Sequence, residues 1–433
     1  MPIDRYIAPP RSQWPELTCR ATADDTDIEA SVREILDTVR RDGDTAVIEY
    51  ENRFDRASFT QAADLKVTEE EKIQAEDSVP QTLKASIRLA MENIRKFHEA
   101  QLPGTVDLYT TPGVRCLQKA VPLRRVGLYI PGGRAPLFST VLMLAVPAKV
   151  AGCPEIVLCT PPGPDGKANP VIVWTALLCG VTEIYKTGGS QAIAAMGYGT
   201  STIRRCDKIF GPGNRFVMKA KQMLGLTETA IDMPAGPSEV MVLADTSASA
   251  DFVASDFLSQ AEHGPDSQSV LVCSSASVAD AVEEAIESQC RSLSRSEIIA
   301  KSLSNSRIIV FDNIADIVDF ANEYAPEHLI VSMENPWAIV DRIYAAGSVF
   351  VGNYSPESAG DYASGTNHTL PTSGWARSFS GLNLDSFMRK MTVQELSEDG
   401  LKAIGDTIIS MAEAEGLDAH ASAVRIRLGN GSK

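Results

Sequence analysis

Four of the five histidines in this chain lie in short polar segments that also carry carboxylate or amide side chains. Imidazole and carboxylate groups gathered in this way can bind a divalent metal ion and move protons near neutral pH. A catalytic site is therefore the leading hypothesis for these segments. They contain Gln260 with His263, Glu327 with His328, Asp361 with His368, and His420 in an acidic stretch of the tail.

Gln260 and His263 have a spacing that suits two ligands of one metal ion. They lie three residues apart in a predicted helix, 251–263, so both side chains project from one face of its last turn. A histidine near a helix C-terminus is also favourable for dipole reasons alone, which leaves a structural interpretation open. Residue type, rather than spacing, makes Asp361 and His420 the best candidates for further ligands.

Glu327 and His328 form an adjacent carboxylate and imidazole at the start of a predicted strand. Unperturbed pKa values of about 4.3 for Glu and about 6.5 for His would let the pair divide proton transfers. One group could take a proton from an alcohol while the other activates water. An ordinary turn with a solvated Glu and a packed His fits the same residues.

Three glycine-containing turns, 129–134, 187–191 and 210–214, follow predicted strands. Small residues there let backbone N–H groups approach a pyrophosphate, and a helix N-terminus favours its charge. None is a G-x-G-x-x-G fingerprint, and each alone fits plain turn chemistry. Three turns on units of one sheet together favour a dinucleotide.

The elements that must position these residues change in type along the chain. The first hundred residues carry helical apolar stripes, and His98 is expected at the polar margin of the second stripe. From about Val126, short β-rich runs alternate with helical ones such as 140–151, which predicts parallel sheets. The stripes are Ile28, Val32, Ile35, Leu36 and Val39, then Leu83, Ile87, Met91, Ile94 and Phe97; the predicted strands are 126–130, 155–159, 182–186, 207–210, 239–243, 270–273, 307–311, 328–332 and 348–351.

The predicted fold class is α/β, with two Rossmann-like parallel-sheet domains, a helical N-terminal region and a small C-terminal helical tail lobe. Helices are expected near 392–404 and 407–415. The predicted divisions are a helical region, 1–125, packing on the second α/β domain; a dinucleotide-binding domain, 126–237; a domain carrying the metal and catalytic residues, 238–375; and a tail or dimerisation lobe, 376–433.

Composition narrows the class of protein. A net charge of −16 and a pI of about 4.9 oppose binding to nucleic acid or to an anionic membrane surface. We expect neither a signal peptide nor a membrane span, because no sufficiently long apolar run occurs. The eight cysteines form no C-x-x-C pair, which favours packed thiols in a reducing cytoplasm. A soluble, cytoplasmic protein with small-molecule partners is predicted.

Six segments, in one order along the chain, resemble the histidinol dehydrogenase family. The resemblance runs from about Val126 to the end of the chain and is highly specific, because so many long stretches match. The first hundred residues fit the length and layout of the family but carry little signature. The matching segments are 127–133, 208–214, 232–239, 259–266, 326–329 and 355–368.

The resemblance implies an enzyme that oxidises L-histidinol to L-histidine through L-histidinal, passing two hydrides to two NAD molecules. It also implies one zinc ion per subunit and a homodimer with shared active sites, in which His420 comes from the partner's tail. Carried over by motif, the zinc ligands are Gln260, His263, Asp361 and His420; the proton-transfer residues are Glu327 and His328; the NAD contacts are Tyr129, Gln191 and Asn214; and the substrate contacts are Ser238, Gln260, His263, His328, Asp361, Glu415 and His420, with Glu357 a weaker candidate.

Three alternatives remain at this stage. A dehydrogenase with the same scaffold could act on another small amino or sulfonated alcohol, because fold and cofactor persist when substrate contacts change. A zinc hydrolase would activate water at the metal, but it would not need the glycine turns. A metabolite sensor without turnover would not need both Glu327 and His328.

Overall fold

The computed structural model describes residues 3–20, 26–132, 136–233 and 236–429. None of the described helices is both long and apolar enough to cross a membrane. The strands are β1 (Asp4–Ile7), β2 (Val106–Thr111), β3 (Val114–Pro122), β4 (Arg125–Tyr129), β5 (Glu155–Thr160), β6 (Glu183–Lys186), β7 (Lys208–Phe210), β8 (Ala230–Ile231), β9 (Glu239–Ala244), β10 (Gln268–Cys273), β11 (Arg307–Val310), β12 (His328–Ser332), β13 (Ser348–Val351) and β14 (Met388–Leu396).

Helices flank the strands along the whole chain. Short 3₁₀ turns cover Arg11–Gln13, Ala62–Leu65, Trp375–Arg377 and Leu384–Phe387. The α-helices are α1 (Trp14–Leu17), α2 (Thr26–Asp42), α3 (Asp44–Phe54), α4 (Glu69–Ser78), α5 (Gln81–Glu99), α6 (Phe138–Ala151), α7 (Pro170–Leu178), α8 (Gly189–Tyr198), α9 (Arg215–Gly225), α10 (Ala250–Ala261), α11 (Ala276–Cys290), α12 (Ser296–Leu303), α13 (Ile314–Tyr324), α14 (Pro336–Val340), α15 (Glu357–Tyr362), α16 (Glu398–Ala414) and α17 (Asp418–Arg427).

Two parallel sheets organise the molecule, as the alternating pattern predicted. The first has the strand order β6-β5-β4-β7-β8, and the second has the order β1-β11-β10-β9-β12-β13. Helices cover both faces of each sheet, so the central strands are buried on both sides and read as nearly continuous apolar runs. All six residues of β9 are buried, for example. The predicted α/β fold class with two parallel-sheet domains is confirmed.

The N-terminal helices pack on the first sheet, which differs from the expected packing on the second α/β domain. Helices α6 and α7 cover one face of this sheet, with α4 and α5 outside them. Helices α8 and α9 cover the other face, with α2 and α3 outside. The stripe that contains Val32 and Val39 is fully buried there, because α2 lies against α8 and α9.

The beginning of the N-terminal region joins the second domain. Strand β1 pairs in parallel with β11 at the edge of the second sheet. Trp14 of α1 is buried against Phe311 and Phe320 on one face of that sheet. The chain therefore starts in the second domain before it crosses to the first.

A third, antiparallel sheet was not predicted from sequence. It has the order β14-β3-β2, and β14 pairs with β3 along nine residues. The helix expected near 392–404 is wrong in its first part, since this part belongs to β14. One helix, α16, replaces the two predicted stretches and is followed by α17. Most of β14 is exposed, so it lacks the apolar alternation that marks a half-buried strand.

The prediction for His98 was also wrong. His98 is fully buried on α5, whereas Phe97, assigned to the apolar stripe, is 46% exposed. The buried positions Ile87, Ala90, Ile94 and His98 follow one another at intervals of three or four residues, so the stripe continues through the histidine. The His98 Nδ1 lies 2.8 Å from the Ile94 carbonyl oxygen.

Candidate active site

The second sheet brings Glu327 and His328 to the amino ends of its central strands. Helix α13 ends at Tyr324 and is capped by Ala325, a non-glycine residue with a left-handed φ of 53°, and the chain then turns through Pro326 into β12. Strands β12 and β9 run in parallel, with His328 opposite Val240. The start of β9 therefore lies directly beside the start of β12.

The backbone of Glu239, the first residue of β9, contacts both side chains. Its N–H donates to the Glu327 carboxylate at 2.9 Å, and its carbonyl oxygen lies 3.2 Å from His328 Nδ1. Glu327 and His328 are 5% and 4% exposed, so both groups are held away from bulk water. The backbone N–H and carbonyl oxygen of one residue of β9 thus fix the positions of both side chains.

The contact with Glu239 also selects the form of the His328 imidazole. A carbonyl oxygen can only accept a hydrogen bond, so the Nδ1 atom carries the proton in this contact. The Nε2 atom is then an unprotonated acceptor, and it is buried without a hydrogen-bond partner among the described residues. It lies 3.9 Å from Asp361 Oδ1.

Burial shifts the pKa values of the two groups in opposite senses. It lowers the pKa of His328 to about 3, so the imidazole is neutral at pH 7. It raises the pKa of Glu327 well above its ordinary value, and repulsion from Glu239 and Asp361 adds to this effect. The environment therefore favours a neutral imidazole beside a carboxyl group whose charged form is disfavoured.

Among the described residues, His263, Glu357 and Asp361 form a group whose ligand atoms lie within 4.8 Å of one another. Glu357 and Asp361 are four residues apart on α15, so their carboxylates share one side of the helix. His263 follows the end of α10, where its N–H donates to the Gln260 carbonyl oxygen. An imidazole and two carboxylates in this arrangement can hold a divalent cation.

Unpaired polar atoms strengthen this interpretation. Gln260 is fully buried, and neither atom of its carboxamide has a hydrogen-bond partner among the described residues. Both Glu357 oxygens are buried and unpaired as well, and burial raises the pKa of this carboxyl. Burying such groups without partners is costly, so the residues fit a bound cation that would satisfy their oxygen atoms.

His368 contacts the backbone of Asp361, one of the residues in this group. Its Nδ1 lies 3.0 Å from the Asp361 backbone oxygen, while its Nε2 lies 3.4 Å from the Thr140 hydroxyl. Burial lowers the pKa of His368 to about 4, so this imidazole is neutral and can donate from Nδ1 only. The contacts orient the segment that carries Asp361.

The remaining residues from the sequence prediction lie in different surroundings. Ser238 is half-buried immediately before β9 and thus adjoins Glu239, whose backbone contacts Glu327 and His328. Glu415 and His420 are exposed at the end of α16 and in α17, and α17 packs on α16. Among the described residues, His420 is outside the group of His263, Glu357 and Asp361.

A separate cleft of about 1190 Å³ lies at the carboxyl ends of the first sheet, and Tyr129, Gln191 and Asn214 all line it. Tyr129 ends β4, and its hydroxyl accepts from the Gly189 N–H at 3.1 Å. Asn214 caps α9 by accepting from two backbone N–H groups. The amino ends of α8 and α9 therefore border this cleft, where they favour an anionic group.

The second-sheet site and this cleft thus use opposite ends of their strands. The glycine turns follow the carboxyl ends of β4, β6 and β7, as expected for an open parallel sheet.

Two residues of the first turn, Gly133 and Arg134, lie outside the described residues, as do Pro234 and Ala235 of the segment before β9.

Arg20 is a residue that the sequence interpretation missed. Its guanidinium forms two hydrogen bonds of 2.8 Å with the Glu239 carboxylate and lies 3.6 Å from the centre of the Tyr324 ring. The Glu239 side chain is buried, and that of Arg20 is mostly shielded, at 1% and 12% exposure respectively. Because Glu239 supplies the backbone N–H and carbonyl oxygen that hold Glu327 and His328, this pair anchors the candidate site. No local spacing could have revealed it.

Comparisons with known proteins agree on one family. The sequence pattern described as "Histidinol dehydrogenase" matches residues 18–428. A histidinol dehydrogenase of Bacteroides thetaiotaomicron is 53% identical to this chain over 420 residues. The matched residues make up 97% of each chain. One from Vibrio vulnificus is 50% identical over 410 residues, 94% of each chain. The crystal structure of histidinol dehydrogenase from Elizabethkingia anophelis superposes with a TM-score of 0.96 at 48% identity, covering 99% of this chain and 98% of that one.

Arg20→Met is expected to destabilise the protein by about 3–5 kcal/mol, because it leaves the Glu239 carboxylate buried without its cation. Urea unfolding at a fixed protein concentration measures this change. Arg11→Met is the matched control, since Arg11 also contacts a ring and two carboxylates but lies at the surface. Equal unfolding midpoints for the two variants would show that Arg20 does not anchor β9.

Proposed function

Because the chain belongs to the histidinol dehydrogenase family, we propose that it oxidises L-histidinol to L-histidine in histidine biosynthesis, with NAD as oxidant and one zinc ion per subunit. The observation that carries this proposal is the unpaired His328 Nε2, buried 3.9 Å from Asp361 in the candidate metal group. A base at this position can act on an alcohol bound beside the cation.

Gln260, His263 and Asp361 are the ligands that this chain would offer to zinc, with His420 of a second subunit as the fourth. Glu357 adjoins them, and it is either a contact for the substrate amine or a further ligand. Zinc, when bound, would anchor the imidazole and amine of histidinol and offset the charge of Asp361, and NAD, when bound, would accept the hydride. Ser238 and Glu415 are proposed as additional substrate contacts.

His328 is the proposed base for the first oxidation. Its Nε2 takes the hydroxyl proton of histidinol as a hydride leaves the same carbon, which gives the aldehyde L-histidinal. The Glu239 carbonyl oxygen holds the Nδ1 proton in place, so the acquired proton resides on Nε2. His328 then releases this proton before the second oxidation.

Glu327 is the proposed base for hydration of the aldehyde. It takes a proton from water as the water oxygen bonds to the aldehyde carbon, and the aldehyde oxygen takes the proton that His328 releases, which gives the hydrate. His328 removes a hydroxyl proton from the hydrate as the second hydride leaves. The balance is one histidinol, one water and two NAD⁺ converted to histidine carboxylate, two NADH and three protons.

The cleft of the first sheet is the proposed NAD site. Its lining by Tyr129, Gln191 and Asn214 supports this assignment, as do the helix N-termini that border it. Gln191 Oε1 is buried without a partner among the described residues, so it offers an acceptor to a hydroxyl or amide donor of the cofactor.

We also propose a homodimer with active sites completed by the partner's tail. His420 and Glu415 are exposed in the single chain, away from the acids and imidazoles that they are expected to join. Exposed apolar residues on the third sheet and on α16 and α17 support an interface there. They include Val106, Leu108, Tyr109, Met411 and Ile426.

Glu327→Gln and His328→Asn are each expected to lower kcat by about 10²–10⁴-fold, since each removes one proton-transfer group. Bound zinc, measured by atomic emission, should remain near one per subunit. Glu323→Gln is the matched control, because this glutamate is exposed on the preceding helix α13. Loss of zinc from either active-site variant would assign the residue to the metal site instead.

The shared-site proposal predicts complementation between two inactive chains. A His420→Ala chain mixed with a Glu327→Gln, His328→Asn chain should recover up to one working site per heterodimer, because one site then combines intact residues from both. Differently tagged subunits allow purified heterodimers to be assayed. Heterodimers without activity would show that each site is built from a single chain.

A further inference from the structure

Glu51 on α3 contacts the glycine turn that borders the proposed NAD cleft, yet no role for it was apparent from sequence. It is fully buried, and its Oε1 accepts three hydrogen bonds from one short segment, 187–191. The donors are the Thr187 hydroxyl at 2.6 Å, the Gly188 N–H at 2.9 Å and the Gln191 amide nitrogen at 2.9 Å. One carboxyl oxygen of an N-terminal helix thus binds three donors of this turn.

These bonds determine which end of the Gln191 carboxamide faces Glu51. Glu51 Oε1 accepts a hydrogen bond from the Gly188 N–H, so this oxygen is an acceptor. The nitrogen of the Gln191 carboxamide, rather than its oxygen, must therefore face Glu51 Oε1. The Gln191 oxygen is then directed elsewhere, and it is buried and unpaired in a residue that lines the cleft. Without Glu51, the carboxamide could rotate and present a donor instead.

The turn is packed closely on its other sides. Gly189 has a φ of 57° and donates its N–H to the Tyr129 hydroxyl at 3.1 Å. A Cβ atom on Gly188 would lie 2.6 Å from Pro161 Cβ. The turn therefore has little room to find another arrangement that satisfies its donors, and Glu51 is the acceptor that completes it.

We propose that Glu51 is a positioning residue for the dinucleotide, an inference that rests on the proposed use of NAD. It fixes the 187–191 turn and directs the Gln191 oxygen into the cofactor cleft. It acts through Gln191 and touches no reacting atom. Burial raises the pKa of Glu51 to about 8, so the carboxyl is protonated at pH 7. A glutamine at position 51 consequently matches it in both shape and charge.

The test compares Glu51→Ala with Glu51→Gln, measuring the Kd for NADH by its fluorescence and hydrogen exchange of peptides spanning 186–192. Glu51→Ala is expected to weaken binding at least about tenfold, through lost and unsatisfied hydrogen bonds, and to speed exchange in this turn. Glu51→Gln should restore both values to within about twofold, since its oxygen accepts the same three bonds. Glu49→Ala, an exposed site on the same helix, is the control and should match the wild type.

Unchanged NADH binding by a folded Glu51→Ala variant would overturn the inference, as would a Glu51→Gln variant as weak as Glu51→Ala. If Glu51→Ala does not fold, Thr187→Val removes one of the three bonds without changing shape, and it should weaken binding about two- to fivefold. Wild-type affinity in that variant would also count against Glu51. A wild-type protein that binds no NADH would overturn the proposed cofactor and this role together.

Discussion

The parallel pairing of β9 with β12 is the constraint on which the candidate site depends. It places the backbone of Glu239 between two side chains, so the N–H holds Glu327 and the carbonyl oxygen holds His328. A backbone group in a fully buried strand moves little, and it therefore sets orientation more firmly than a surface side chain could. The tautomer of His328 and its distance from Asp361 both follow from the position of this one residue.

The N-terminal region supports both sites from outside the sheets that carry them. Arg20 neutralises the buried Glu239 carboxylate at the start of β9, while Glu51 satisfies the donors of the turn after β6. Each contact pairs polar groups that are removed from water, which favours one arrangement of the backbone over its alternatives. These N-terminal residues thus contribute rigidity to the proposed chemistry without supplying a reacting atom.

Local patterns predicted the fold well where burial is regular. The bounds of β12 and β13 agree with the prediction, because short apolar runs between turns define buried parallel strands. Glu357 could have been assigned to the metal group from its spacing of four residues before Asp361. The exposed strand β14 has no such pattern, and it forms because β3 supplies its hydrogen-bond partners.

The supporting contacts could not be predicted, for a physical reason. Arg20 and Glu239 are 219 residues apart, and Glu51 and Gln191 are 140 residues apart. Nothing in the periodicity of either segment specifies such a partner, since only the packed sheets and helices bring them together. The family resemblance identified candidate ligands and bases, but the Glu239 backbone groups that orient Glu327 and His328 became evident only in three dimensions.

The most direct test of the central claim is the amount of NADH formed per L-histidinol consumed by the zinc-loaded protein, with the product identified by mass spectrometry. The proposed reaction predicts two NADH per substrate and L-histidine as the product. One NADH per substrate with L-histidinal released would contradict a second oxidation in the same site. No NADH from histidinol would favour a dehydrogenase of another small amino or sulfonated alcohol on the same scaffold.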